Sequence, residues 1–216
     1  VDLVAFNNMP SVMLRFRYDD FTTYAYGVAI DDILIDLPPV NDLNLSGKFY
    51  YKAPLTGTDY MIDSSSMNYY TRIPVLQAAN DTVNFSAKFR NNGTATQPNT
   101  KLTVTVTGPV PFNQSSTPLS INSAAEDSAT IGSNYAYSSM GAYATKFSIS
   151  SDSVDFIIAD NSKTDSVTVT DSVYAWDNGA GSSGYYTGVA GVTFYSSVGN
   201  LFKINTPDVA TSISIY

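Results

Sequence analysis

No histidine and no cysteine occurs in the 216 residues, so the chain has no Ser-His-Asp triad, no Cys-His pair and no histidine or thiolate metal site. Disulfide and thiol chemistry are excluded with them. What remains for catalysis is a pair of carboxylates, as glycosidases use. The candidates are Asp19–Asp20 and Asp31–Asp32. Each pair is adjacent in sequence, so within a strand its side chains point to opposite faces. They read as solvated carboxylates of loops or sheet edges, and no hydrolase, transferase or redox activity is expected. Aromatic rings offer a second chemistry, stacking on sugars. The candidates are Tyr50–Tyr51, Tyr69–Tyr70, Tyr135, Tyr137, Tyr185–Tyr186 and the single Trp176. Tyrosine is equally a half-buried sheet residue or an interface residue, and with one tryptophan the packing reading is favoured.

The elements that position these residues read as strands. The organising stretch is Thr82 to Thr107. Val83, Phe85, Ala87 and Phe89 alternate with polar residues, and Leu102, Val104 and Val106 do so after a break; period 2 means one buried face. Asn91-Asn92-Gly93 and Pro98 supply the turn between them. Thr103, Thr105 and Thr107 leave the other face wet. Further strands are expected at Thr71–Gln77, Pro118–Asn122, Asp127–Ile131, Ala144–Ser150 and Lys163–Thr170, with turn signals between them as in a sandwich. No stretch shows a 3.6 period. Before this block, Val12, Leu14, Phe16 and Tyr18 alternate, and Gly27 to Leu37 reads as a strand closed by Pro38-Pro39. Residues 41–68 read as a polar connecting segment, with a short strand at Lys48–Lys52 and a loop at Ser64–Ser66. After Asp171 the chain changes character, with strands expected at Val189–Tyr195, Gly199–Ile204 and Ala210–Tyr216.

Composition narrows the classes. The net charge of −8 argues against nucleic acid or an anionic membrane surface as a partner. No apolar run approaches the ~18 residues that span a bilayer, so no membrane insertion is expected. Low charge with abundant Ser, Thr, Asn and Tyr suits exposed sheets outside the cell. The chain opens on VDLVAF with no initiator Met and no signal peptide, and reads as a mature or excised piece of a longer precursor.

Three stretches carry a family resemblance. FRYDDFTTYAYGVAIDDILI (16–35) resembles the last two strands of jelly-roll domains in secreted Bacteroidota surface proteins of the cleaved-adhesin or choice-of-anchor group, although only that ending is present. AKFRNNGTATQPNTKLTVTV (87–106) and YATKFSISSDSVDF (143–156) resemble an Ig-like module of such proteins. VYAWDNG (173–179) and VGNLFKI (198–204) resemble the opening of another jelly roll. The implied organisation is all-β, an Ig-like antiparallel β-sandwich flanked by partial jelly-roll-type segments. Residues 1–40 would end one jelly roll, 41–68 connect, 69–170 form the sandwich and 171–216 open a second jelly roll.

The resemblance implies several functional expectations. Asp31 or Asp32 matches a position that lends a carboxylate to a structural calcium, the alternative being a solvated carboxylate; no other cofactor is expected. Asp-Ser/Thr-aliphatic, the O-glycosylation pattern of Bacteroidota secreted proteins, occurs at Thr82, Ser128, Ser153, Ser166 and Ser172. The same triplet also simply suits the start of a strand. Asn-x-Ser/Thr triplets at Asn44, Asn80, Asn84, Asn92 and Asn113 matter only in a host that N-glycosylates. The favoured role is a structural subunit of an extracellular bacterial fibre or surface adhesin, its partners copies of itself. The alternative is a carbohydrate-binding module with glycans as ligands. Incomplete sheets at both ends suggest assembly by strand complementation, with residues 1–8 as the donor. Val1, Leu3 and Ala5 would face one way, and Val4 and Phe6 the other, with Asp2.

Overall fold

The computed structural model describes residues 11–19, 30, 38–52, 62–63, 70–176, 202 and 204–213. They fall into two units, Val1–Leu37 and Pro38–Tyr216. In the first, residues 11–19 are exposed and carry no strand, and Arg17 pairs with Asp19 at 2.9 Å. The alternation at Val12, Leu14, Phe16 and Tyr18 therefore does not become a ladder there. Period 2 selects a face to bury, but a strand also needs a partner for its backbone. The donor segment 1–8 and the carboxylates Asp20, Asp31 and Asp32 lie outside the described residues.

The described part of the second unit contains strands β1 (Leu43–Lys52), β2 (Ile62–Asp63), β3 (Arg72–Pro74), β4 (Val83–Asn91) and β5 (Gln97–Thr107). It continues with β6 (Phe112–Ser115), β7 (Leu119–Ile121), β8 (Glu126–Thr130), β9 (Gly141–Ser150) and β10 (Ser162–Thr170). One sheet runs β2-β1-β4-β8 and the other β3-β10-β9-β5-β6, with β7 beside the start of β5. Every pairing is antiparallel except β3 with β10. With β1, β4 and β8 in one layer and β5, β9 and β10 in the other, the strand order is that of an Ig-like sandwich.

The expected inward residues fill the space between the sheets. Val83, Phe85, Ala87 and Phe89 meet Leu102, Val104 and Val106 there, with Tyr143, Phe147, Ile149, Val167 and Val169. Aromatic rings run through this core edge to face: Phe85 on Phe147 at 5.8 Å, Tyr135 on Tyr137 at 4.9 Å and Tyr137 on Tyr143 at 5.1 Å. The Tyr143 hydroxyl donates to the Ser139 carbonyl four residues upstream at 2.8 Å, which matches the tyrosine corner of Ig-like sandwiches.

The structure corrects several boundaries. Residues 43–52 are not a connector. They form a full strand alongside β4, with Leu43 and Leu45 in the core. The short strand expected at Lys48–Lys52 is its second half; a register shift between Asn44 and Gly47 breaks the period-2 pattern and hides the first half from a sequence reading. The strand expected at Thr71–Gln77 stops at Pro74 and becomes a helix, α1 (Val75–Ala79). Proline has no N–H to continue the ladder, and the residues after it are mostly good helix formers. β5 begins at Gln97, inside the stretch expected to be turn. Pro98 and Asn99 sit inside it at a register shift, with Asn99 at φ 52°, a conformation Asn tolerates. β6 was not expected, because FNQS carries one apolar residue.

The boundary at 170/171 also moves. Ala175 pairs by backbone with Arg72, and Tyr70 packs on Trp176 at 4.6 Å and Tyr174 at 5.2 Å. Buried Gln77 accepts from the Asn205 and Thr206 amides and donates to the Thr206 carbonyl. Phe202 and residues 204–213 carry no strand, against the strands expected at 199–204 and 210–216. The strand expected at 189–195 lies outside the described residues.

Candidate cation site

Asp42 meets Asp155 and Asp160, both remote from it in sequence, at one end of the sandwich. Asp42 precedes β1, Asp155 lies in the β9–β10 loop, and Asp160 sits in the short 3-10 turn Ile158–Asn161 that leads into β10. One carboxylate oxygen from each lies within 4.8 Å of the other two.

The β4–β5 turn positions Asp42. The amides of Asn92 and Gly93 donate to its carbonyl at 2.7 and 3.3 Å, and those of Thr94 and Ala95 to Pro39 and Val40, both at 2.9 Å. This approach needs glycine at 93, since a Cβ there would stand 2.5 Å from the Val40 oxygen and 2.8 Å from the Asp42 nitrogen. Buried Asn91 closes the turn, donating to the Ala95 and Ile121 carbonyls and accepting from the Gly93 amide. Thus Asn91-Asn92-Gly93, expected only as a turn, is a cradle for residues 39–42.

The β9–β10 loop is held to the same segment. Asp155 accepts from the Leu43 amide at 2.7 Å and the Ile157 amide at 2.9 Å. The Phe156 amide donates to the Asn41 carbonyl at 3.0 Å, and Asn44 Nδ2 donates to Asp160 Oδ2 at 2.8 Å. Gln97 bridges the two, donating to Asn41 Oδ1 and accepting from Ser151, each at 2.9 Å.

The cluster's electrostatics are unbalanced. Asp42 is only 6% exposed. Burial, then the charges of Asp155 and Asp160, push its carboxyl above the ordinary carboxylate range, with the Asn92 side chain acting in the opposite direction. Among the described residues, four buried side-chain oxygens lack a hydrogen-bond partner, and three of them are Asp42 Oδ1, Asp160 Oδ1 and Asn161 Oδ1. A donor set made of oxygens alone suits a hard cation rather than zinc. Beside it the loop exposes an apolar strip, Val154 at 85%, Phe156 at 72% and Ile158 at 71%.

The sites expected from sequence lie elsewhere. Tyr70, Tyr135 and Tyr137 are core residues, and Trp176 packs against Tyr70, so none of these is a free stacking platform. Side chains at 50, 51, 69, 185 and 186 lie outside the described residues. Thr82, Ser128, Ser166 and Ser172 are exposed and Ser153 is half-buried. In three of these triplets the aliphatic residue, Val83, Ala129 or Val167, is in the core, as alternation along a strand requires. Sequence reasoning missed the aspartate cluster, since more than a hundred residues separate Asp42 from Asp155. The available signal was VDFIIAD, whose large apolar residues interleave with acids where a turn was expected.

With strand order and site in view, the class is an Ig-like β-sandwich. No family model matches the chain, and no curated protein does. Among solved structures, the chain is similar to the CARDB domain of the PF1109 protein from Pyrococcus furiosus, crystallised in complex with di-metal ions. That match has 17% identity, spans 66% of this chain and 100% of that one, and has a TM-score of 0.40. The solution structure of the same domain matches at 15% identity over 62% of this chain and 99% of that one, TM-score 0.41. The C-terminal domain of wzt matches at 12% identity over 68% and 90%, TM-score 0.38.

Proposed function

We propose that this chain is a structural, non-catalytic module of an extracellular bacterial fibre or surface adhesin, and that it contacts copies of itself. The observation that carries this reading is the apolar strip at Val154, Phe156 and Ile158. Large apolar groups held outward by a hydrogen-bonded loop are a feature of protein contact sites. The carbohydrate-binding alternative has less support, because Tyr70, Tyr135 and Tyr137 are consumed by the core. Strand complementation by Val1–Phe6 remains the proposed mode of polymerisation, and the strip would add a side-chain contact to it.

Light scattering and electron microscopy of the full chain test the reading. Concentration-dependent association is expected, weakened by Phe156→Ser with Ile158→Ser and abolished by deleting residues 1–8. A wild-type chain that stays monomeric at high concentration overturns it. Association unaffected by the deletion removes the donor-strand mode.

A further inference from the structure

We propose that Asp42, Asp155 and Asp160 bind one calcium ion, which joins the start of β1 to the β9–β10 loop. Calcium takes oxygen ligands at about 2.3–2.6 Å, so two ligands of one ion stand at most roughly 5 Å apart. The three carboxylates meet that limit, with an oxygen of each within 4.8 Å of the others.

Clustering alone would not make this a site, because acids gather on many surfaces. The second observation is the unmet bonding of the interior. Asp42 is more than nine-tenths buried, its Oδ1 has no hydrogen-bond partner, and one of its carboxylate oxygens lies within 4.8 Å of those of Asp155 and Asp160. Asp160 Oδ1 is buried without a partner too, as is the neighbouring Asn161 Oδ1. Buried polar atoms are almost always satisfied, so orphan acceptors on two members of the cluster, Asp42 and Asp160, mark the place of something that accepts lone pairs. No Lys or Arg of the described residues forms an ion pair with any of the three aspartates.

The remaining contacts fit the same ion. Both Asp155 oxygens accept a backbone amide, which fixes the carboxylate and leaves each oxygen a further lone pair. Asp160 is oriented by Asn44 through Oδ2, leaving Oδ1 open. An irregular cage from a strand end and a loop suits calcium's flexible coordination better than magnesium's strict octahedron. The ion would neutralise three like charges that otherwise repel across the sandwich's end.

The experiment titrates calcium chloride into the EDTA-stripped full chain, followed by calorimetry and thermal melting. Expected are one ion per chain, a Kd in the roughly 10⁻⁴–10⁻³ M range of extracellular modules and a higher melting temperature. Asp42→Asn should lose this site. In EDTA the same variant should melt no lower than wild type, since it removes one of three repelling charges, which separates lost binding from lost folding. The Asp31→Asn, Asp32→Asn double variant should keep the site. The absence of heat or melting shift in millimolar calcium, an equal response to magnesium, or undiminished binding by Asp42→Asn overturns the proposal.

Discussion

Replacing Lys48 by methionine would test the polar tie between the two sheets. Lys48 on β1 and Asp165 on β10 form an ion pair across the interior, their side chains only 11% and 9% exposed. At an effective dielectric near 20, two charges about 3 Å apart attract by roughly 5 kcal/mol. Desolvating both ions costs about as much, so the intact pair is worth little net. Removing one partner is different, because a buried carboxylate then loses the Lys48 charge while its desolvation cost stays, at a cost of about 3–5 kcal/mol. Set against a typical stability of about 5–15 kcal/mol, Lys48→Met should remove about a fifth of it or more. The melting temperature should fall by roughly 6–20 °C. Urea denaturation of the full chain reads this directly, and the double variant Lys48→Met with Asp165→Leu should recover to within about 1 kcal/mol of wild type. A single variant within about 1 kcal/mol of wild type would show that solvent or another partner already compensates Asp165. A double variant no better than the single would equally sink the argument.

Other perturbations follow from the same geometry. Gly93→Ala should destabilise by about 1–3 kcal/mol in urea denaturation, because its Cβ would meet the backbone of Val40 and Asp42; unchanged stability would mean that segment 39–42 yields freely. Tyr143→Phe should cost about 1 kcal/mol by removing the bond to Ser139, again read from denaturant midpoints. Burial, before any neighbouring charge, raises the pKa of Tyr135, Tyr137 and Tyr174. Below about pH 10 these phenols are neutral folded and unfolded alike, and above it only the unfolded chain ionises them freely. Stability should thus fall as pH rises past about 10, with tyrosinate absorbance appearing at the unfolding transition; a smooth titration of all tyrosines at ordinary pKa would contradict this. The intact mass of protein from its native host should exceed that of the bare chain if Thr82, Ser128, Ser153, Ser166 or Ser172 carries a glycan, and a bare mass removes that expectation.

What the sequence alone determined is the part of the fold governed by local alternation. Val83 to Phe89 and Leu102 to Val106 announce their buried face, and the structure puts those residues in the core. The same holds for the stretch that became β9 and for the end of β10, Val167 and Val169, because side-chain period is a property of the chain itself. The structure decided whatever depends on a partner. Only the second half of β1, Lys48–Lys52, is legible as a strand, because a register shift at Asn44–Gly47 breaks the pattern before it. Trp176 and Gln77 found roles as tertiary contacts, to Tyr70 and to residues 205–206. The aspartate cluster is the extreme case. No spacing rule links Asp42 to Asp155, since their proximity exists only once β1 pairs with β4 and the β9–β10 loop is bonded to its start. Sequence periodicity specifies which face is buried, while the meeting of distant charges is set by how the two sheets close on each other.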